Sequence, residues 1–376
     1  MPQLRYFTAG ESHGQCLVGI FEGLPAGLKI DLAAINRDLA RRQQGYGRGG
    51  RMKLEADQAE VLSGVRRDET IGSPVTVMVK NRDFKINELP AVTKPRPGHA
   101  DLAGLIKYDR EDARDILERS SARETTVRVA IGGVCKLLLA EVGVDIVGHI
   151  VSLGTVQAKT DGLTFAQIRE RSEASEVRCA DPEAEKKMIE AVDAAKGQGD
   201  TLGGVFEVVA IGLPIGLGSH VQWDRKLDAN LARALMSIQA MKGVEVGLGF
   251  EAARRFGSQV HDEILPAQEG VLTRAGNNAG GIEGGMTNGQ PVVVRVAMKP
   301  LSTLMKPMRS VDIQTGQEVK ATVERSDVCA TPAAAVIGEA VVAFELAKAV
   351  LDKFGGDSVR ELKRNVESYR TACKRW

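Results

Sequence analysis

Two of the five histidines stand in turns suited to proton transfer. His13 lies in Gly10-Glu11-Ser12-His13-Gly14, and His99 lies in Arg96-Pro97-Gly98-His99-Ala100-Asp101. Each has glycine beside it and hydroxyl, carboxylate or guanidinium groups close along the chain. A side chain that titrates near neutral pH can act there as a general acid. His149, His220 and His261 sit in ordinary strand or loop contexts and read as structural. Neither His13 nor His99 has metal-ligand spacing to another His, Cys or Asp, so no zinc site is expected.

Groups that could hold an anion follow. From Arg41 to Lys53 the chain reads RRQQGYGRGGRMK, with five cations and no carboxylate. Gly45, Gly47 and Gly50 satisfy G-x-G-x-x-G, but the run follows a helix instead of a strand, so a dinucleotide-binding turn fails on context. There is no Walker motif. Two readings stay open: a solvated surface loop, and a loop that closes over a multiply charged anion. Arg119-Ser120-Ser121 precede a helix whose first amides and positive dipole end suit a phosphate. Ser121 also opens a Ser121-Ala122-Arg123-Glu124 capping box, and capping does not exclude ligand binding. Arg123 falls in the first turn, where a cation is unfavourable, and a nearby anion would explain that cost. Glu124 and Arg128, at i and i+4, read as a surface pair.

The elements that must position these groups suggest an α+β fold. Asp31 caps a helix with Leu32, Ile35 and Leu39 on one face, ending near Gln44. A second helix follows Ser121 and carries Val127, Ile131, Val134 and Leu138, with Gly143 at its end. Thr331-Pro332 opens a long apolar helix closed by Gly355-Gly356, and Asp181-Pro182 opens another to about Lys196. Leu227 to Met241 also reads as helix. Period-two strands fall at 57–64, 75–80, 145–153, 203–211 and 292–298. Short strands beside long apolar helices predict antiparallel sheets packed on helices.

The two halves rhyme. Gly23-Leu24-Pro25-Ala26-Gly27-Leu28 returns as Gly212-Leu213-Pro214-Ile215-Gly216-Leu217. Gly72-Ser73-Pro74 and its strand return as Gly289-Gln290-Pro291 and its strand, and Glu118-Arg119-Ser120 returns as Glu324-Arg325-Ser326. The order is the same in both halves, which predicts a single domain built from approximate repeats, 1–150 and 200–355. Equivalent groups such as Arg119 and Arg325, or Ser121 and Asp327, should then face each other across a shared cleft.

Composition narrows the function. Fifty Lys and Arg balance 49 Asp and Glu, giving a net charge of +1, so a polybasic nucleic-acid coat is excluded and any anion site must be local. Aromatics at 4% leave little for a base-stacking platform. The five cysteines are far apart and form no C-x-x-C pair, as expected of reduced thiols in a cytoplasmic protein. No secretory h-region and no membrane-spanning apolar run is expected.

Taken together, GESHG at 10–14, RPGHAD at 96–101, ERSSARET at 118–125, NNAGGIEGG at 277–285 and RSDVC at 325–329 resemble the chorismate synthase family over nearly the whole chain. The resemblance implies an enzyme that converts 5-enolpyruvylshikimate-3-phosphate to chorismate by an anti-1,4-elimination of phosphate and a ring hydrogen. Such an enzyme needs reduced FMN without net redox change, and serves the shikimate pathway to aromatic amino acids. It also implies helices sandwiched between antiparallel sheets and a homotetramer. Carried over residue by residue, His13 would protonate the departing phosphate, His99 would be a proton donor to the reduced flavin, and Asp327 would sit by the flavin and assist hydrogen removal. Ser12, Arg42, Arg48, Arg123 and Arg325 would hold the substrate. FMN would be held by Arg119, Ser120, Ser121, Gln239, Ala240 and Gly284, by Lys299, Pro300, Leu301, Ser302 and Thr303, and again by Arg325. Gln239 stands where many members have Asn. Some members reduce their own flavin with NADPH, for which Arg42 and Arg48 could meet the phosphate, while others rely on a separate flavin reductase.

The physics of such a ligand set agrees. A phosphate, two carboxylates and an anionic flavin in one pocket call for arginine, which stays charged and bonds bidentately. Two other readings compete. A flavin-dependent NADPH oxidoreductase would consume NADPH stoichiometrically, and a non-catalytic anion-binding scaffold would tolerate loss of either histidine.

Overall fold

The computed structural model describes residues 4–49, 55–268, 271–324 and 326–374. Arg325 lies outside the described residues, as do Gly50, Arg51 and Lys53 of the cationic run.

Two antiparallel sheets face each other across a helical layer. The first joins β1 (Arg5–Ala9), β2 (Cys16–Glu22), β3 (Ala59–Ser63) and β4 (Val75–Lys80) in the order β1-β2-β4-β3. The second joins β5 (Asp145–Leu153), β6 (Val156–Gln157), β7 (Gly204–Ile211), β8 (Met241–Val246) and β9 (Val292–Met298) in the order β8-β9-β7-β5-β6. Strict alternation puts Val75, Val77 and Val79 of one sheet, and Val292, Val294, Val296 and Met298 of the other, into one core.

The helices, in chain order, are α1 (Leu32–Gln43), α2 (Asp101–Tyr108), α3 (Arg114–Ser120), α4 (Thr125–Ala140), α5 (Phe165–Ala174), α6 (Pro182–Gly197), α7 (Leu227–Met236), α8 (Thr331–Phe354) and α9 (Val359–Cys373). Between the sheets, α4 packs on β2 while α8 packs on β5 and β7, and the two helices pack on each other. A Cβ on Gly132 would lie 2.4 Å from the Cα of Ala340, so only glycine allows this approach. From Thr331 to Ala347 helix α8 is almost wholly apolar because it is buried on every side. Its one fully buried charge, Glu339, accepts hydrogen bonds from Arg41, Lys136 and the Gly148 amide, so Arg41 is spent inside the fold.

The rhyming strings carry the same bonds. Thr70 Oγ1 donates to Pro25 O and accepts from Leu28 N at 2.6 and 2.9 Å, and Thr287 Oγ1 does the same with Pro214 O and Leu217 N at 2.6 and 2.8 Å.

Several local expectations change. Leu32 is exposed, and Arg42 takes the third buried place after Ile35 and Leu39, because the end of α1 faces a polar cleft. Ser121 caps Arg123 N at 3.3 Å in a single 3-10 turn, and α4 starts only at Thr125, so Glu124 closes no capping box. Glu124 and Arg128 are largely buried rather than a surface pair, and Arg128 turns to donate to the Ser237 hydroxyl and carbonyl. That contact sits where α7 ends, at Met236, short of the expected Met241, which instead opens β8.

Candidate active site

One cleft of about 800 Å³ collects residues from both halves. Both central helices open on it: Thr125 at the start of α4, and Ala330 and Ala333 at the start of α8, are in its wall. Two positive dipole ends thus point at one space.

The turn carrying His13 depends on Gly10, whose φ is +105° and whose Cβ would lie 2.2 Å from the Cys16 carbonyl. It brings Ser12 and His13 to the cleft. His13 Nδ1 is 2.8 Å from Glu118 Oε1, its backbone N–H donates to Glu118 Oε2 at 2.7 Å, and Nε2 is 3.7 Å from Asp83. Burial alone would raise the Glu118 carboxyl, but the bonds from His13 and the Arg114 charge hold it below the usual carboxylate range.

His99 faces the same cleft with its own carboxylate. Its Nδ1 lies 2.5 Å from Asp101 Oδ1, and Asp101 also accepts from Arg96 N and Nε at 3.0 and 2.9 Å. Burial opposes this charge, yet the bonds from His99 and Arg96 keep the carboxyl well below its ordinary value. Arg96 Nη1 reaches on to Thr303 Oγ1 at 2.9 Å, and Lys299 Nζ donates to Gly98 O at 3.0 Å, so the second half braces this turn.

Arg42, Arg48 and Arg123 are all in the wall. The burial cost of Arg123 is met within the protein, since it donates to both oxygens of Asp57 at 2.7 and 2.8 Å and to Asn81. No ligand is needed to account for it. Arg42 is different. Its Nε and Nη2 bond Thr125 Oγ1 and Ala122 O, but buried Nη1 has no hydrogen-bond partner among the described residues and lies 3.7 Å from Asp57. Burial pushes this guanidinium down to about 9, with Asp57 opposing and the Arg123 and Arg48 charges adding to the push. It is still a cation at neutral pH, in surroundings that favour a further anion.

The described part of the cationic run, through Gly49, is docked on the fold. Tyr46 OH donates to Asp193, and Gly47 O accepts from Val328 N at 2.8 Å. Arg48 Nη1 and Gly49 N take the two oxygens of Asp327 at 2.9 and 2.6 Å. Asp327 is therefore at the cleft, and its charge is paired.

Ser120, Ser121, Gln239, Ala240 and Lys299 also line the space, with Leu301, Ser302 and Thr303. Ser120 Oγ and Gln239 Oε1 are buried without hydrogen-bond partners among the described residues.

Three of the residues expected at the flavin are not in this wall. Arg119 is exposed and donates to the Thr8 and Gly10 carbonyls, because neighbouring residues on α3 point in different directions and Ser120 takes the inward one. Gly284 belongs to the Ile282–Thr287 hairpin, whose Gly285 O accepts from Leu227 N, outside the cleft wall. Pro300 is not in the wall although its neighbours are. Groups given no role from sequence are Glu118, Asp101, Arg96, Arg114 and Glu324. Asp101 and Arg96 could have been found, since both lie in the hexapeptide around His99.

Among the described residues no group of three His, Cys, Asp or Glu could hold a metal, and no helix is long and apolar enough to cross a membrane. All five cysteines are free.

A cleft with two carboxylate-held histidines and several arginines, one of them a buried guanidinium whose Nη1 has no hydrogen-bond partner among the described residues, on helices sandwiched between antiparallel sheets, defines an enzyme site for a small polyanion. Comparison with known proteins makes the class specific. The family model for chorismate synthase matches residues 4–351. Proteins named chorismate synthase from Geobacter sulfurreducens and Symbiobacterium thermophilum are 60% and 58% identical, each over 97% of this chain and 98% of their own. One from Syntrophotalea carbinolica is 55% identical over the whole of both chains. A crystal structure of chorismate synthase superposes with a TM-score of 0.84 at 45% identity, covering 100% of both chains. The chain belongs to the chorismate synthase family.

Proposed function

We propose that the protein is a carbon–oxygen lyase that converts 5-enolpyruvylshikimate-3-phosphate to chorismate and phosphate by anti-1,4-elimination, using reduced FMN, in the shikimate pathway. The observation that carries this reading is the meeting, around one cleft, of two carboxylate-held histidines with Arg42, Arg48 and Arg123. The names of the relatives supply the reaction; the cleft supplies groups suited to it.

The wall fits a flavin beside the substrate. A volume of about 800 Å³ lies in the upper part of the usual range for small-molecule sites, and Ser120 Oγ and Gln239 Oε1 are buried polar atoms without hydrogen-bond partners among the described residues. Ser120, Ser121, Gln239, Ala240, Lys299, Leu301, Ser302 and Thr303 would hold FMN, joined by Arg325. Reduced flavin, when bound, supplies the electron-rich surface that the elimination needs without net redox change. His13 holds a proton for the departing phosphate oxygen, and His99 holds one on the flavin side. Asp327 is the carboxylate that assists hydrogen removal. Arg42 and Arg48, with Ser12 and Arg325, bind the substrate's phosphate and carboxylates and stabilise charge as the phosphate leaves. If the protein reduces its own flavin, Arg42 and Arg48 meet the NADPH phosphate; otherwise a separate reductase serves it.

A homotetramer is part of the same reading. The outer face of the first sheet supports it: Phe7 and Ile20 are directly opposite across β1 and β2, and both are exposed, as is Leu62. The matched bonds of Thr70 and Thr287 support descent of the 1–150 and 200–355 segments from one repeated unit.

The test is anaerobic. Enzyme with chemically reduced FMN and the enolpyruvyl substrate should release phosphate with no NADPH present. Consumption of one NADPH per product would instead favour an oxidoreductase.

A further inference from the structure

Glu118, in the last turn of α3, grips the His13 turn by three bonds. Glu118 O accepts from Ser12 N at 2.9 Å, and the two Glu118 carboxylate oxygens take the His13 amide and Nδ1 at 2.7 and 2.8 Å. Glu118 is 3% exposed. One turn earlier, buried Arg114 lies 3.7 Å from Glu118, donates to Pro90 O at 2.9 Å, and donates to Glu324 Oε1 at 2.9 Å. Glu324 and Glu118 occupy matching places in the two rhyming segments. One guanidinium thus ties the carboxylate behind His13 to the segment that carries Asp327.

The ring nitrogens cannot both be free. With Nδ1–H on Glu118, a proton leaving from Nε2 requires an imidazolium, protonated at both nitrogens. A carboxylate at 2.8 Å is the countercharge for that cation. Among the described residues, the other charged groups near this turn include Asp83 and Lys85 of the 81–86 loop, which are paired with each other at 2.7 Å, Arg114 on α3, and Glu11 on the turn itself.

We propose that Glu118 is the positioning residue for His13: it fixes Nδ1–H, turns Nε2 into the cleft and supports the doubly protonated ring, while Arg114 holds Glu118 in register with the Asp327 segment. The inference rests on the reading of His13 as the phosphate's proton donor. In the step, the carbon–oxygen bond to phosphate breaks, the proton passes from Nε2 to the phosphate oxygen, and the imidazole is left neutral with Nδ1–H still on Glu118.

The experiment follows single-turnover phosphate release against pH, with chemically reduced FMN and measured substrate affinity, for wild type, Glu118→Gln, Glu118→Asp and His13→Ala. Glu118→Gln should lower turnover by about ten- to a hundredfold, draw the high-pH limb of the profile to lower pH, and leave affinity within a few-fold. Glu118→Asp should recover part of the rate and of the limb. A uniform loss at every pH without rescue by Asp means that Glu118 only holds the loop, and overturns the proposal. Full turnover in His13→Ala sinks the proton-donor reading instead, whatever Glu118→Gln does. Should Glu118→Gln fail to fold, ¹⁵N spectra of His13 in the wild-type protein, assigned with His13→Gln, decide. Nδ1 protonated across the working pH range supports the proposal, and a neutral ring protonated only at Nε2 overturns it.

Discussion

The two histidines of the cleft are held in opposite ways. His99 takes its carboxylate from Asp101, two residues along, and Arg96 of the same hexapeptide clamps that carboxylate. His13 takes its carboxylate from Glu118, 105 residues away, and that carboxylate is linked through Arg114 to the second half. One is a local device that needs bracing, from Thr303 and Lys299. The other exists only when α3, the first sheet and the Asp327 segment have come together. Proton placement at His99 is therefore a property of a loop, and at His13 a property of the tertiary fold.

This contrast can be broken by substitution. The largest expected effects on rate are those of His13→Ala and His99→Ala, each about 10² to 10⁴ in turnover, with folding cooperativity unchanged by denaturant titration. Asp101→Asn comes next, because it leaves Arg96 buried beside a neutral partner. It should cost about 3 to 5 kcal/mol in urea unfolding as well as activity. Arg42→Met should mainly raise KM, since a buried guanidinium whose Nη1 has no hydrogen-bond partner among the described residues is placed to bind rather than to transfer protons.

Acid should test both carboxylates together. Asp101 and Glu118 sit below their unfolded values, so their stabilisation is complete above the ordinary carboxylate range, about pH 4, and is lost as pH falls through the lowered folded values. Urea midpoints should be level from pH 7 to about 5 and fall below about 4, and Glu118→Gln should flatten part of that fall. The smallest effect belongs to Arg119→Ala, which removes bonds to the Thr8 and Gly10 carbonyls at the surface. It should cost less than about 1 kcal/mol and leave flavin affinity unchanged by fluorescence titration.

What was legible in the sequence follows the same division. Capping at Asp31 and Asp181, Pro332 at the start of α8, and the period-two strands are local signals, and the structure has them. The sandwich of helices between antiparallel sheets follows from them and from the family resemblance. His99 and its partners were together in six residues. The neighbours of His13 and Arg123 were not, because Glu118 and Asp57 are 105 and 66 residues away and nothing in spacing joins them. Arg119 lies off the cleft wall that Ser120 joins, and sequence does not show this for a further reason. Motif adjacency to Ser120 carries no information about direction around a helix of seven residues.

The most direct test of a shared polyanion site with two proton-placing histidines separates binding from turnover. Equilibrium affinity for 5-enolpyruvylshikimate-3-phosphate and single-turnover phosphate release should be measured on His13→Ala, His99→Ala and the double variant, each with chemically reduced FMN. Affinity within a few-fold of wild type, with release slowed by at least about a hundredfold in each, is the result expected. Release at the wild-type rate, or a loss explained wholly by weaker substrate binding, would contradict it.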